Sequence, residues 1–144
     1  MDKAKRRLAA VMFTDIVGYS KLMNEDEGRA MQLLENYDNI SEKCFSELGG
    51  RLIKKIGDAD FVEFSSALDA VSCAINLQKK LKEHNLSQKT SFDKIHIRIG
   101  IHVGDIIEKG DDIFGDGVNI ASRIVSVANA VSYTHLRAHE TGPY

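Results

Sequence analysis

The 144-residue chain reads as an α+β domain of the ferredoxin-like βαββαβ type, a single sheet with two helices on one of its faces. Three observations predict this. Hydrophobic periodicity alternates between strand and helix character in the order β-α-β-β-α-β. Two β-prone runs flank a turn at Gly57 and Asp58, the chemistry of a hairpin. Two long segments carry apolar residues at spacings of three and four, each forming one buried helical face.

Taken in order, Leu8, Ala9, Ala10, Val11, Met12 and Phe13 form a continuous apolar run, as in a central strand covered on both faces, and Asp15 follows at its carboxyl end. From about residue 25 to 48, Ala30, Leu33, Leu34, Tyr37, Ile40, Cys44, Phe45 and Leu48 mark the first helix, which Gly49 and Gly50 end. The hairpin over residues 51–64 comes next. Ala67, Ala70, Val71, Ala74, Ile75, Gln78 and Leu81 then mark a second helix reaching about His84. A polar loop over 85–94 leads to an alternating strand over 95–103, which Ile106 and Ile107 extend. Gly115, Asp116 and Gly117 form a turn, and a helix starting there carries Asn119 and Arg123, four apart, on one face.

Composition excludes several functions. A formal charge of -2 supplies no basic field of the kind nucleic-acid binders carry, so no nucleic-acid partner is expected. No apolar run approaches the roughly 20 residues of a membrane span and no signal peptide is evident, so the expectation is a soluble, cytoplasmic chain with no membrane partner. Cys44 and Cys73 lie inside helical patterns without metal-type spacing and read as reduced and buried. Lys3, Lys5, Arg6 and Arg7 read as a solvated basic cluster, with residues 1–6 as a leader.

The topology has a chemical consequence. A right-handed β-α-β crossover makes the first strand and the strand over 52–56 run in the same direction, so Asp15 and Asp58 fall at one sheet edge. Two carboxylates converging there would satisfy a hard cation that prefers oxygen ligands. The amide of Asn119 and guanidinium of Arg123 suit charge developing on phosphate oxygens. Lys54 and Lys55 both precede the turn, and the imperfect alternation of their strand leaves open which faces such a site. Asp60 reads as a solvated turn residue.

With these residues in view, the chain resembles the catalytic domain of the class III adenylyl and guanylyl cyclases, from about residue 7 to 127, and in particular soluble bacterial members. The resemblance rests on Phe13-Thr14-Asp15-Ile16-Val17-Gly18, Lys54-x-x-Gly57-Asp58, Arg98-Ile99-Gly100-Ile101-His102-x-Gly104 and Asp112-x-x-Gly115-x-x-Val118-Asn119-x-Ala121-x-Arg123, in this order and spacing. It implies that Asp15, Asp58 and the backbone carbonyl of Ile16 bind two Mg2+ or Mn2+ ions. Lys54 and Asp112 would read adenine, Lys by donating to a ring nitrogen and Asp by accepting from the amino group. Asn119 and Arg123 would orient the ribose and stabilise the transition state, and Arg98 would contact the terminal phosphates. The implied reaction converts ATP to 3′,5′-cyclic AMP and pyrophosphate by a two-metal mechanism. Because the chain carries both residue sets, the resemblance implies a homodimer with two active sites shared between subunits.

The catalytic domain is thus expected over residues 7–130, C-terminally incomplete. Residues 131–144 match nothing in the family pattern and read as a foreign tail, and His135 and His139 lack a third metal ligand. Two other functions compete with adenylate cyclase. One is a catalytically silent nucleotide-binding module, against which all the expected polar positions are filled. The other is a diguanylate cyclase, whose Gly-Gly-Asp-Glu-Phe signature is absent.

Overall fold

The structure, a computed structural model, describes residues 5–110 and 112–115. Its elements are β1 (Lys5–Ile16), α1 (Tyr19–Glu25), α2 (Glu27–Glu47), β2 (Arg51–Ile56), β3 (Ala59–Phe64), α3 (Ala67–Leu86), a short 3-10 turn (Ser91–Asp93), β4 (Ile97–Lys109) and β5 (Asp112–Phe114). The sheet order is β2-β3-β1-β4-β5, with every neighbouring pair antiparallel. Since β3 lies between them, β1 and β2 run in the same direction, the relation the crossover requires.

Alternation along β1 divides the sheet into two faces. Ala10, Met12 and Ile16 join the main core with Leu33, Tyr37 and Phe45 of α2, Ala74, Leu77 and Leu81 of α3, and Ile97 and Ile99 of β4. Ala9 and Val11 point the other way, into a smaller cluster with Phe61 and Ile106, against which Phe13 and Ile53 pack. The helices therefore cover one face, as expected for a ferredoxin-like sheet, and among the described residues no helix packs on the opposite face, called the open face below.

The sheet curls toward that open face. Its outermost strands, β2 and β5, contact each other, and Arg51, the first residue of β2, reaches Glu108 of β4 at 3.5 Å. A charged cluster fills this end of the face. Arg7 binds both oxygens of Glu63, one of them at 2.8 Å, and Glu108 at 3.0 Å, while Arg51 donates to Glu63 at 2.8 Å. The hydrogen bond from Arg7, aided by Arg51, holds the Glu63 carboxyl below its usual range against the effect of burial.

Several elements depart from the sequence expectations. β1 begins at Lys5 rather than at residue 8, with Lys5 opposite Glu108 and Arg6 opposite Ile107, so these basic residues belong to a strand and not to a leader. Arg7 is engaged by two carboxylates instead of being solvated. The first helical pattern breaks at Asp26, which leaves the helical conformation and caps α2 by accepting from the Arg29 amide at 3.1 Å, so a separate α1 precedes it. The loop over 85–94 contains the 3-10 turn, and β4 runs unbroken through Gly104 and Asp105 because β1 pairs with it along that whole length. β5 adds a fifth strand.

Other expectations agree. Gly49 (φ 71) and Gly50 end α2, their amides donating to Ser46 and Phe45 carbonyls. A Cβ at Gly50 would lie 2.7 Å from the Phe64 ring, so that position also needs the small residue for packing. Gly57 takes the positive φ (58) that turns the hairpin. Cys44 and Cys73 are buried free thiols on facing helices, and burial pushes Cys73 up to about 12. No helix among the described residues is long and apolar enough to cross a membrane. The helix expected to carry Asn119 and Arg123, and residues 131–144, lie outside the described residues.

Candidate active site

The candidate site is the sheet edge where β1 ends and the β2–β3 hairpin turns. Asp15 is the penultimate residue of β1 and, by alternation, projects from the open face, directly opposite Arg98 of β4. The Arg98 guanidinium clasps it, Nε to Oδ1 at 2.8 Å and Nη2 to Oδ2 at 2.6 Å. This bidentate, charge-assisted pair fixes the carboxylate plane. The hydrogen bond to Asp15 raises the Arg98 pKa further, with the Asp15 and Asp58 charges adding to it.

Asp58 reaches the same point from the hairpin. Its Oδ2 accepts from the Ile16 amide at 2.8 Å, joining residues 42 positions apart. The β1–β4 ladder explains why that amide is available. Val17 donates to the His96 carbonyl at 2.7 Å, so Ile16 occupies the alternate register and directs its polar backbone groups away from β4. A strand residue sends N–H and C=O to the same side, so the Ile16 carbonyl also faces the hairpin. Asp15 and Ile16 at the end of β1 and Asp58 of the hairpin, 42 positions beyond Ile16, are thus brought to one rim.

This donor set suits a hard divalent cation. Among the described residues no three His, Cys, Asp or Glu side chains converge as a metal-holding group. Protein ligation here would therefore rest on two carboxylates and one carbonyl, leaving other coordination positions for nucleotide oxygens, a pattern typical of Mg2+. Each Asp15 oxygen accepts one bond from Arg98, which leaves a further lone pair on each for a cation.

The hairpin also separates its two lysines. A bulge between Leu52 and Lys54 interrupts alternation in β2, the physical reason the sequence pattern is irregular there. Lys54 pairs with Phe61 and lies over its ring at 5.9 Å on the open face, where Phe13 meets Phe61 edge-on with centroids 5.8 Å apart. Lys55 pairs with Asp60 on the helix face. Its Nζ lies 2.6 Å from Asp60 Oδ1 and 2.6 Å from Asp38 Oδ1 of α2. Burial opposes the Lys55 charge, but hydrogen bonds to Asp38 and Asp60 prevail and its pKa rises. Asp60 is 1% exposed, so it is a buried counter-ion and not a solvated turn residue.

The remaining predicted residues divide. The backbone of Asp112 lies in β5 opposite Lys109, at the end of β4 remote from Arg98, and β5 touches β2, the strand of Lys54. Asn119 and Arg123 lie outside the described residues. Sequence reasoning missed the Asp15–Arg98 pair and the linked row Thr14, Asp60 and Lys55. The family resemblance implies a phosphate contact for Arg98; only strand register sets it opposite Asp15.

The fold is an α+β domain, an antiparallel sheet with helices on one face, and it brings Asp15 and Asp58 to one rim. The chain belongs to the adenylate and guanylate cyclase catalytic domain family, whose family model matches residues 1–135. It is 40% identical over 130 residues to the Rhizobium meliloti (strain 1021) protein named "Putative adenylate cyclase 3", covering 89% of this chain and 22% of the relative. It is 34% identical over 128 residues to the adenylate cyclase of Streptomyces coelicolor, covering 88% of this chain and 32% of that protein. The chain thus spans a third or less of either relative. Among solved structures, it superposes on an adenylate/guanylate cyclase/hydrolase from Silicibacter pomeroyi with a TM-score of 0.82 at 28% identity, covering 98% of this chain and 86% of that one.

Proposed function

We propose that the domain is an adenylate cyclase, converting ATP to 3′,5′-cyclic AMP and pyrophosphate at sites shared between two copies of the chain. The observation that carries this reading is the meeting of Asp58 with the Ile16 amide beside Asp15, which gathers the expected acidic ligands at one rim. Adenylate cyclase names among the relatives support ATP as substrate.

In this reading Asp15, Asp58 and the Ile16 carbonyl hold two Mg2+ or Mn2+ ions. Bound there, the ions supply charge neutralisation at the phosphates and acidify the ribose 3′-hydroxyl. Arg98 moves between two anions, Asp15 and the terminal phosphates, and keeps the rim compensated in both arrangements. Lys54 donates to an adenine ring nitrogen while Asp112 accepts from the exocyclic amino group, a pairing that guanine would mismatch. Asn119 orients the ribose, and Arg123 meets charge building on the α-phosphate oxygens. The Asp112 backbone and Arg98 occupy opposite ends of β4, an arrangement that favours base reading by one subunit and metal holding by the other.

The test is to incubate the chain with Mn-ATP or Mn-GTP and resolve the cyclic product, then to mix an Asp15→Ala chain with an Arg123→Ala chain. Cyclic AMP from ATP, inactivity of each variant alone and recovery on mixing are expected, since a mixed dimer retains one intact site. Cyclic GMP formed from GTP in preference to cyclic AMP from ATP overturns the adenine assignment. Nucleotide binding without product replaces the enzyme reading with a regulatory module, and no recovery on mixing refutes shared sites.

A further inference from the structure

Directly beneath the rim, on the opposite face of the same strands, lies a continuous polar row. Thr14, Asp60 and Lys55 are register partners across β1, β3 and β2. Helix α2 covers the row. The Tyr37 hydroxyl shares a 2.8 Å hydrogen bond with Thr14, and Asp38 binds Lys55. Thr14 and Tyr37 are fully buried and Asp60 nearly so, whereas Asp38 and Lys55 are partly exposed.

Each member adjoins a residue of the rim. Thr14 precedes Asp15, and Asp60 and Lys55 flank the turn that carries Asp58. A buried ion pair is a poor device for stability, because well-packed apolar replacements often do as well or better. It is directional, however, and these contacts tie three strands to one helix at the level where Asp58 must meet Ile16.

We propose that Lys55, through Asp60 and Asp38, is a positioning residue that sets the hairpin against β1 so that Asp58 and Asp15 share one rim. Lys55 touches no rim atom itself. It spans β3 and α2, Tyr37 ties the same helix to β1 through Thr14, and together they prevent the hairpin from sliding along β1. The two adjacent lysines thereby have separate tasks, Lys54 on the open face and Lys55 on the helix face. The consequence for metal holding rests on the cyclase reading; the consequence for hairpin placement does not.

The experiment compares Lys55→Met, Lys55→Arg and the double variant Lys55→Met/Asp60→Leu with the wild-type chain. Amide hydrogen exchange is followed at Ile16, which reports the Asp58 contact, and at Met12 in the middle of β1. Mn2+ binding is measured by electron paramagnetic resonance, alongside cyclase turnover. In Lys55→Met, Ile16 exchange is expected to quicken at least about tenfold with Met12 unchanged, and Mn2+ affinity to fall about tenfold, the lower range for loss of an outer-shell support. Lys55→Arg should retain most of both. The double variant removes the buried charge and so keeps the fold testable even where the single variant is unstable; it should still show the Ile16 and Mn2+ defects. Wild-type Ile16 protection and Mn2+ affinity in the folded double variant, or equal loss of protection at Ile16 and Met12 in Lys55→Met, overturns the proposal. A selective Ile16 effect in a wild-type background that binds no Mn2+ and forms no cyclic nucleotide upholds the positioning role and instead overturns the cyclase reading.

Discussion

Replacing Asp58 by Asn and by Ala separates its two roles. The carboxylate accepts from the Ile16 amide at 2.8 Å, and Ile16 is 3% exposed. Asn retains an oxygen that can accept this bond but loses the charge. Since a charge-assisted bond is roughly twice as strong as a neutral one, Asp58→Asn should lower stability by about 1 kcal/mol. Ala removes the acceptor and leaves the amide unmatched, a loss of about 2 kcal/mol. With a urea dependence of about 2 kcal/mol/M for a domain this size, the midpoints should fall by about 0.5 M and about 1 M. Activity should not follow this grading. A neutral amide is a poor ligand for a hard cation, so both variants should lose at least about 100-fold in turnover of Mn-ATP, equivalent to about 2.7 kcal/mol. Urea denaturation and cyclic nucleotide formation are measured on the same preparations. Equal midpoints for Asn and Ala would refute the hydrogen-bond reasoning, and wild-type turnover by Asp58→Asn would refute the metal role.

Three further outcomes follow from the charge and burial pattern. The Glu63 carboxyl is held below its usual value by Arg7 and Arg51, so its folded pKa lies below the unfolded value of about 4.3. Its contribution is present above that pH and is lost as pH falls through the folded pKa; thermal denaturation of Glu63→Gln should show a shallower loss of stability below about pH 4.3 than the wild type, and a lower melting temperature at pH 7. Lys54→Ala, which removes a contact with the Phe61 ring on the open face, should change stability by about 1 kcal/mol or less while raising KM for ATP several-fold and narrowing the preference over GTP, measured by steady-state kinetics. Cys44 and Cys73 are buried and burial raises both thiols, so an aromatic disulfide reagent should titrate neither in the native chain at pH 8 and both in urea.

What could be read from the chain depended on how far each interaction reached. Periodicity identified the long elements because a buried face repeats over many residues, as in Leu33, Tyr37 and Cys44 of α2 or Ala70, Ala74, Leu77 and Leu81 of α3. The short α1 has no such run, and Asp26 became visible as a cap only through its bond to Arg29. Topology placed Asp15 with Asp58 because a helical crossover makes the two strands it joins run in the same direction, a rule that needs no side-chain detail. Register is different, since a shift of one residue exchanges the faces. In β1 the alternation is regular, so Thr14 goes to Tyr37 and the helix face and Asp15 to Arg98 and the open face. In β2 the bulge suspends that rule, and the adjacent Lys54 and Lys55 are assigned by their partners alone, Phe61 for one and Asp38 with Asp60 for the other. Asp60 misled for the same reason. A carboxylate near a turn is ordinarily solvated, but here α2 lays Tyr37 and Asp38 across it from more than 20 residues away, and only the cation of Lys55 makes its burial tolerable. The charges that looked interchangeable in the hairpin sequence are therefore divided by the sheet itself, Lys54 on the open face over Phe61 and Lys55 with Asp60 held against the helix.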